Sequence, residues 1–120
     1  MTTIRRIVPN IYTDKPEESK QFYSGFLDMK LAMDMDWIQT YVSLENPTAQ
    51  LSIFSNKAHK TLAKSSIFLS VEVADVDALH RKALQQGIDI IYPICNESWG
   101  VRRFFVKGPN GETINILSHL

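Results

Sequence analysis

One pattern constrains this chain more than any other: its order of elements is written twice. Asp14 and Asp75, each just ahead of a helix-like stretch, stand 61 residues apart, and the strand-like runs around Ser52 and Asn115 are separated by nearly the same interval. Side-chain identity between the halves is low, so the duplication lies in spacing. A solenoid needs about three or more repeats, so two copies predict a pair of modules within one domain.

Each half reads the same way. Ile4 to Tyr12 has strand character, and Asp14-Lys15-Pro16-Glu17 reads as a helix start, with Asp14 as carboxylate cap and an early proline. Phe22, Tyr23, Phe26 and Leu27 share one helical stripe and are expected to face a core. Strands are predicted from Lys30 to Met35, Trp37 to Leu44 and Ala49 to Phe54.

Residues 55–65 lose the alternation and read as a connector. The pattern then restarts with a strand from Ser66 to Val73 and a helix capped by Asp75, carrying Val76, Leu79, Ala83 and Leu84 and stopped by Gly87. Strands follow at Ile88 to Ile94, Trp99 to Lys107 and Glu112 to Ser118, the last two joined by the turn Gly108-Pro109-Asn110-Gly111. The fold class is therefore α+β: two pseudo-symmetric β-α-β-β-β modules, residues 1–55 and 65–120 of a single domain, forming a concave mixed sheet with helices on its outer face.

Composition narrows the partners. Thirteen basic residues balance thirteen acidic ones, so no net field draws the chain to nucleic acid or an anionic membrane. No apolar run approaches the roughly 20 residues that span a bilayer, and the N-terminus lacks the apolar core of a signal peptide. Cys95 is the only cysteine, which excludes an intrachain disulfide and fits a reducing cytoplasm. No cation or helix start stands next to it in sequence, so an inert thiol is expected.

Strand side chains alternate between two faces. Ile67, Leu69, Val71 and Val73 form an apolar face for a helix to cover, opposite Ser66, Phe68, Ser70 and Glu72. Likewise Ala49, Leu51 and Ile53 oppose Gln50, Ser52 and Phe54, and Ile114 and Ile116 oppose Thr113, Asn115 and Leu117. From Trp37 to Leu44 the apolar set is Ile38, Val42 and Leu44, which assigns Trp37, Gln39, Tyr41 and Ser43 to the other face. That second face mixes rings, hydroxyls and amides, as the lining of a ligand cleft does. Packing of the same rings in a dimer interface is the alternative.

The run from Asp14 through Phe22-Tyr23 to Leu27-Asp28-Met29, and the run Trp99-Gly100-Val101-Arg102-Arg103-Phe104 leading into Gly108-Pro109-Asn110-Gly111, together resemble the vicinal oxygen chelate superfamily. That superfamily spans glyoxalase I, extradiol dioxygenases and bleomycin-resistance proteins, and the second run resembles the bleomycin-resistance branch. One departure stands out: the aspartate usual before Pro-x-Gly is Gly108, which removes a turn contact with a cation such as Arg102.

The resemblance implies four metal-ligand places, falling at Val8, Ser52, Ser66 and Asn115. None offers the imidazole or carboxylate that a divalent transition metal prefers, so no metal or other cofactor is expected. His59 lies in the connector, His80 on the polar stripe of the second helix and His119 at the C-terminus. Glu72 is the nearest carboxylate on the cleft face and has no evident partner for general-base work.

The function this implies is metal-free binding of a small organic molecule, an antibiotic or aromatic metabolite. Trp37, Tyr41, Phe54, Phe68 and Trp99 would stack on it, while Gln39, Gln50, Ser52, Ser66, Arg103 and Asn115 orient its polar groups. No residue is assigned a catalytic role. The resemblance also implies a homodimer whose clefts are built from two chains. The neutral charge departs from the acidic drug binders, so bleomycin itself is not expected. Two alternatives stay open: a lyase, isomerase or dioxygenase with a metal in another register or none, and an interaction module with a vestigial cleft. Ligand identity, dimer geometry and a lid role for residues 55–65 also stay open.

Overall fold

The computed structural model describes residue 3, residues 5–55 and residues 67–120. The chain divides into two compact units, residues 1–65 and 66–120. The first runs β1 (Asn10–Thr13), α1 (Pro16–Lys20) continuing into a π-helical stretch (Gln21–Phe26), β2 (Lys30–Met35), β3 (Ile38–Val42) and β4 (Gln50–Ser55). The second runs β5 (Phe68–Glu72), α2 (Val76–Gln85), β6 (Ile90–Asn96), β7 (Val101–Lys107) and β8 (Thr113–His119). Each unit has its own four-stranded sheet, in the orders β1-β4-β3-β2 and β5-β8-β7-β6. In both, the first strand lies parallel to the last and the other pairs are antiparallel. The duplicated β-α-β-β-β order expected from spacing is the order the chain adopts. Ser55 belongs to β4, and the rest of the expected connector lies outside the described residues.

Apolar residues of one helix and one sheet face make each core. In the first unit Phe22, Tyr23 and Phe26 are buried as their spacing requires, packed with Ile11, Leu51 and Ile53. In the second, Val76 and Ala83 of α2 are buried, as are Phe104, Val106, Ile114 and Ile116 of the sheet. Leu84 shares the helical spacing but is exposed. Among the described residues no helix is long and apolar enough to cross a membrane.

Three local features differ from the sequence reading. The first strand is shorter than Ile4 to Tyr12: its ladder begins at Asn10, because Pro9 has no N–H to give and contributes only its carbonyl, which accepts from Ser52 N–H at 2.9 Å. Asp14 does not cap α1. No side chain caps the helix; the buried Thr13 hydroxyl instead accepts from the N–H of Lys15, the residue ahead of the first turn, at 2.8 Å and meets Ser19 Oγ at 3.1 Å. By contrast Asp75 caps α2 as expected, its carboxylate accepting from Ala78 N–H at 3.0 Å, and Gly87 ends that region with φ at +66°.

The third feature is the turn between β7 and β8. Glu112 is fully buried there, accepting from Asn110 N–H at 2.6 Å and from Asn110 Nδ2 at 3.3 Å. Its carboxylate occupies the space a side chain on residue 108 would need. Gly108 therefore leaves room for an acid arriving from four positions downstream, and Arg102, the cation left without a turn aspartate, pairs with Asp77 of α2 at 2.9 Å.

Gly108→Ala drives a methyl into the Glu112 carboxylate and is expected to cost about 1–3 kcal/mol in urea unfolding, as overpacking does. Combined with Glu112→Ala, the pair should cost less than the two single losses added together. Unchanged stability in Gly108→Ala would show that the acid does not fill the turn.

Candidate functional site

Cross-strand register decides which side chains meet. In the second unit, β7 on β8 places Phe105 opposite Asn115 and Arg103 opposite Leu117, and β5 on β8 places Ser70 opposite Asn115. Facing residues in a ladder share a side of the sheet, so Phe68, Ser70, Arg103, Phe105 and Asn115 lie together on the face away from α2. Phe104 and Val106 take the helix side.

Strand β6 adds the residues that alternation hides. It is an edge strand, where Pro93 is tolerated, and its pairing with β7 shifts register between Tyr92 and Cys95. Tyr92 pairs with Phe105 and Cys95 with Arg103, so two residues of odd spacing share the open face.

The result is an aromatic cluster around one guanidinium. The rings of Phe68 and Tyr92 stand 5.4 Å and 4.7 Å from that of Phe105. The Arg103 guanidinium carbon lies 4.7 Å from the centre of Phe105, 5.0 Å from Trp99 and 5.3 Å from Tyr92. Glu97 holds it from one side, accepting from Arg103 Nη2 at 3.3 Å and, through its other oxygen, from the Tyr92 hydroxyl and Cys95 Sγ, each at 2.8 Å.

These contacts set the ionisation of the cluster. Hydrogen bonds from Cys95 and then Tyr92, together with the Arg103 charge, hold the Glu97 carboxyl below the usual carboxylate range. The Tyr92 phenol is pushed up to about 12 by its hydrogen bonds with Cys95 and then Glu97. The thiol read as inert thus has a carboxylate on it and a cation across the ladder. Two polar atoms remain buried with no hydrogen-bond partner among the described residues, Arg103 Nε and Asn115 Oδ1. Asn115 is only 7% exposed and spends its amide N–H on Ser70 Oγ at 3.1 Å.

In the first unit, Gln50, Ser52 and Phe54 take the face away from α1, as expected. They meet Thr40 and Val42 of β3 there, and Gln50, Ser52, Thr40 and Val42 line a cavity of about 680 Å³ with Arg6 and Val8. Ser52 Oγ is 2.7 Å from Thr40 Oγ1, and Phe54 packs edge-on against Tyr12 at 5.8 Å.

Gln39 and Tyr41 are a correction. Opposite Ile53 and Leu51 respectively, they belong to the helix side, and Tyr41 is 1% exposed against Tyr23. Ile38, Thr40 and Val42 face the other way. Trp37 is half exposed in the turn ahead of β3. Ser66 lies outside the described residues.

The residues at the family's metal places do not suit a divalent metal. Val8 has no side-chain donor, the Ser52 hydroxyl is bonded to Thr40, and Asn115 offers one neutral carbonyl oxygen. His80 packs edge-on to Phe104 at 5.0 Å, and His119 and Glu72 form an exposed pair at 3.6 Å.

The sequence profile of the Glyoxalase/Bleomycin resistance protein/Dioxygenase superfamily matches residues 3–116. Solved structures of low identity share the fold. A member of that superfamily from Sphaerobacter thermophilus superposes with a TM-score of 0.81 at 17% identity, covering 99% of this chain and 100% of its own. Lactoylglutathione lyase from Agrobacterium tumefaciens gives 0.77 at 12% identity, covering 97% and 95%. TioX from Micromonospora sp. ML1 gives 0.77 at 17%, covering 98% and 100%. No curated protein matches the sequence.

The Tyr92 phenol, raised in the folded state, contributes stability that is complete below its unfolded value of about 10 and is lost as pH climbs through about 12. Glu97, depressed, contributes above its unfolded value of about 4.3, and that share is lost as pH falls through the folded value. The network is therefore expected to be intact between these limits. Ultraviolet titration, as the difference between the native chain and Tyr92→Phe, should show one phenol ionising near pH 12. Glu97→Gln should move it back toward 10.

Proposed function

The chain belongs to the glyoxalase/bleomycin resistance protein/dioxygenase superfamily, and from that premise we propose that it binds a small, partly planar organic molecule without a resident transition metal. One observation carries the reading: Arg103, fixed by Glu97 and surrounded by rings, lies under Trp99, 62% exposed, and against Phe105, which in turn carries Phe68, 55% exposed. Large exposed rings around an anchored cation are costly as bare surface and useful as a stacking platform. A planar ligand laid on them gains roughly 25 cal/mol for each Å² of apolar surface it covers. Asn115 Oδ1 and Arg103 Nε supply an acceptor and a donor at the base of that platform.

In the first unit, by itself, Gln50, Ser52 and Phe54 give the face away from α1 a polar and aromatic character too, and an antibiotic or an aromatic metabolite has the matching chemistry. Met33 and Met35 on edge strand β2 and Ile91 on edge strand β6 are exposed, which supports a homodimer that covers them. With a lone cysteine and no apolar span, the protein is proposed to work in the cytoplasm.

A catalytic reading draws no comparable support from this face. Glu97 is held below the usual carboxylate range and already accepts from three groups, so it is a weak base at neutral pH.

Native mass spectrometry of the purified protein, with and without chelator, is expected to give a metal-free dimer carrying an organic adduct. The recovered adduct should bind Trp99→Ala or Arg103→Ala at least about tenfold more weakly than the native chain, the loss expected of a central aromatic or arginine anchor. One transition metal per chain, lost on chelation, would overturn the reading.

A further inference from the structure

Asn115 of β8 is 7% exposed, and its carbonyl oxygen is the one buried side-chain acceptor among the described residues that has no donor. Its amide nitrogen donates to Ser70 Oγ of β5 at 3.1 Å. That bond orients the amide: the nitrogen points to β5, and the oxygen points away from it, to the side of β8 where Phe105 of β7 stands opposite. The oxygen has essentially no surface open to water, so a water molecule cannot replace the missing donor while the neighbouring side chains stay in place. A buried acceptor kept in this state is costly to the fold.

What covers the oxygen is aromatic. Phe68 lies on β5 and Phe105 on β7, the two neighbours of β8, and strands two places apart in a sheet are roughly 10 Å from one another. Their ring centres are nevertheless 5.4 Å apart, so the rings lean together over β8, across Thr113 and Asn115, the residues they pair with. Phe105 is held by the Tyr92 ring at 4.7 Å and by the Arg103 guanidinium. Phe68 is 55% exposed, and the edge contact with Phe105 is its one ring contact among the described residues. An exposed side chain changes rotamer within nanoseconds. Turning Phe68 outward opens a path to the Asn115 oxygen and leaves the strand ladder intact.

The chemistry at the end of that path is narrow. A carbonyl oxygen only accepts, and the amide N–H is already spent on Ser70, so the group that meets it must be a donor. The Arg103 cation shares the face and is already paired with Glu97 at 3.3 Å. A cationic donor would be repelled by Arg103, and a carboxylate brings no donor at all. A neutral O–H or N–H satisfies both conditions.

We propose that Asn115 determines the specificity of the open face: among planar molecules it selects neutral aromatic or heteroaromatic rings whose edge carries an N–H or O–H, and this donor reaches Asn115 Oδ1 when Phe68 turns aside. The inference rests on the stacking platform described under the proposed function and deepens it. Trp99 and Arg103 hold a ring of any kind, and Asn115 chooses among rings. Ser70 is a positioning residue, which keeps the oxygen and not the nitrogen of the amide turned to the ligand.

NMR titration of the nitrogen-15-labelled full chain with indole, benzofuran and quinoline tests this, because the three rings are similar in size and offer a donor, no donor and an acceptor respectively. Indole is expected to bind at least about tenfold more tightly than benzofuran, shifting the side-chain N–H signals of Trp99 and Asn115. A ring N–H taken from water with no acceptor to meet it would give the opposite order. In Asn115→Leu the ratio should fall to about one or below while benzofuran still binds. Ser70 is exposed, and in Ser70→Ala the released amide can turn, so the ratio should fall there too. Should Asn115→Leu fail to fold, Ser70→Ala decides alone. Equal binding of indole and benzofuran, tighter binding of quinoline, or an indole preference that survives loss of the amide or of its Ser70 anchor would overturn the inference. The platform is read separately, since Trp99→Ala should weaken all three rings alike. Rings that bind equally and depend on Trp99 would leave the platform standing without the selection, and failure of all three to shift the Trp99 signal would remove both.

Discussion

The open face of the second unit depends on the position of the Arg103 guanidinium, and the guanidinium depends on Glu97. The pairing of β7 with β8 fixes where the Arg103 backbone lies, but a long side chain there has many rotamers and costs up to about 2 kcal/mol to immobilise. Glu97 restricts it from one side while the rings of Phe105, Trp99 and Tyr92 restrict it from the others. A partly buried ion pair adds little net stability, because desolvation offsets the attraction. Its consequence is preorganisation: the cation is already stripped of much of its water and oriented before any ligand arrives. Tyr92 and Cys95 hold Glu97 in turn, so the edge strand β6 acts on the site through this carboxylate as well as through the Tyr92 ring.

The turn after β7 shows the same economy of groups. Glycine in place of the family's aspartate removes an acid from residue 108, yet an acid still fills the space, because Glu112 folds back over the Gly108 backbone and caps Asn110. Arg102 then takes Asp77 as its partner, which ties β7 to the start of α2.

Much of this was legible in the sequence, and the misses have identifiable causes. Element order and the faces of β4, β5 and β8 followed from alternation because one side of each strand is uniformly apolar. In β3 both sides are mixed, and the apolar count favoured Ile38 and Val42 as the buried set. The ladder reverses this, because Tyr41 faces Leu51 and a tyrosine can bury its ring while its hydroxyl reaches a wet edge. The Glu97 network escaped because the shift around Pro93 breaks the period of two, and nothing local marks where a bulge will fall. Asp14 had the right type for a cap, but Lys15 stands at the cap position with no side chain capping the first turn, while Thr13 turns inward beside Ser19 and accepts from Lys15 N–H. A carboxylate would bring a charge into that buried position, which is costly unless paired.

The two halves treat the positions that the family resemblance assigns to metal ligands in parallel ways. Ser52 and Asn115 occupy matching positions on the last strand of each unit, and each is bonded to a hydroxyl on a neighbouring strand, Thr40 in one and Ser70 in the other. The cross-strand hydrogen bond restrains each side chain. The parallel stops at satisfaction. Ser52 and Thr40 share one short contact between two hydroxyls, whereas Asn115 gives its N–H to Ser70 and keeps a buried carbonyl oxygen unpaired. A buried acceptor left without a donor costs about 1–3 kcal/mol, and a fold that could remove that cost with a Ser or Thr, as it does at Ser52, has instead retained the amide. The asymmetry locates unspent hydrogen-bonding capacity in the second unit, beside Phe105 and Arg103, where the exposed rings of Phe68 and Trp99 also lie.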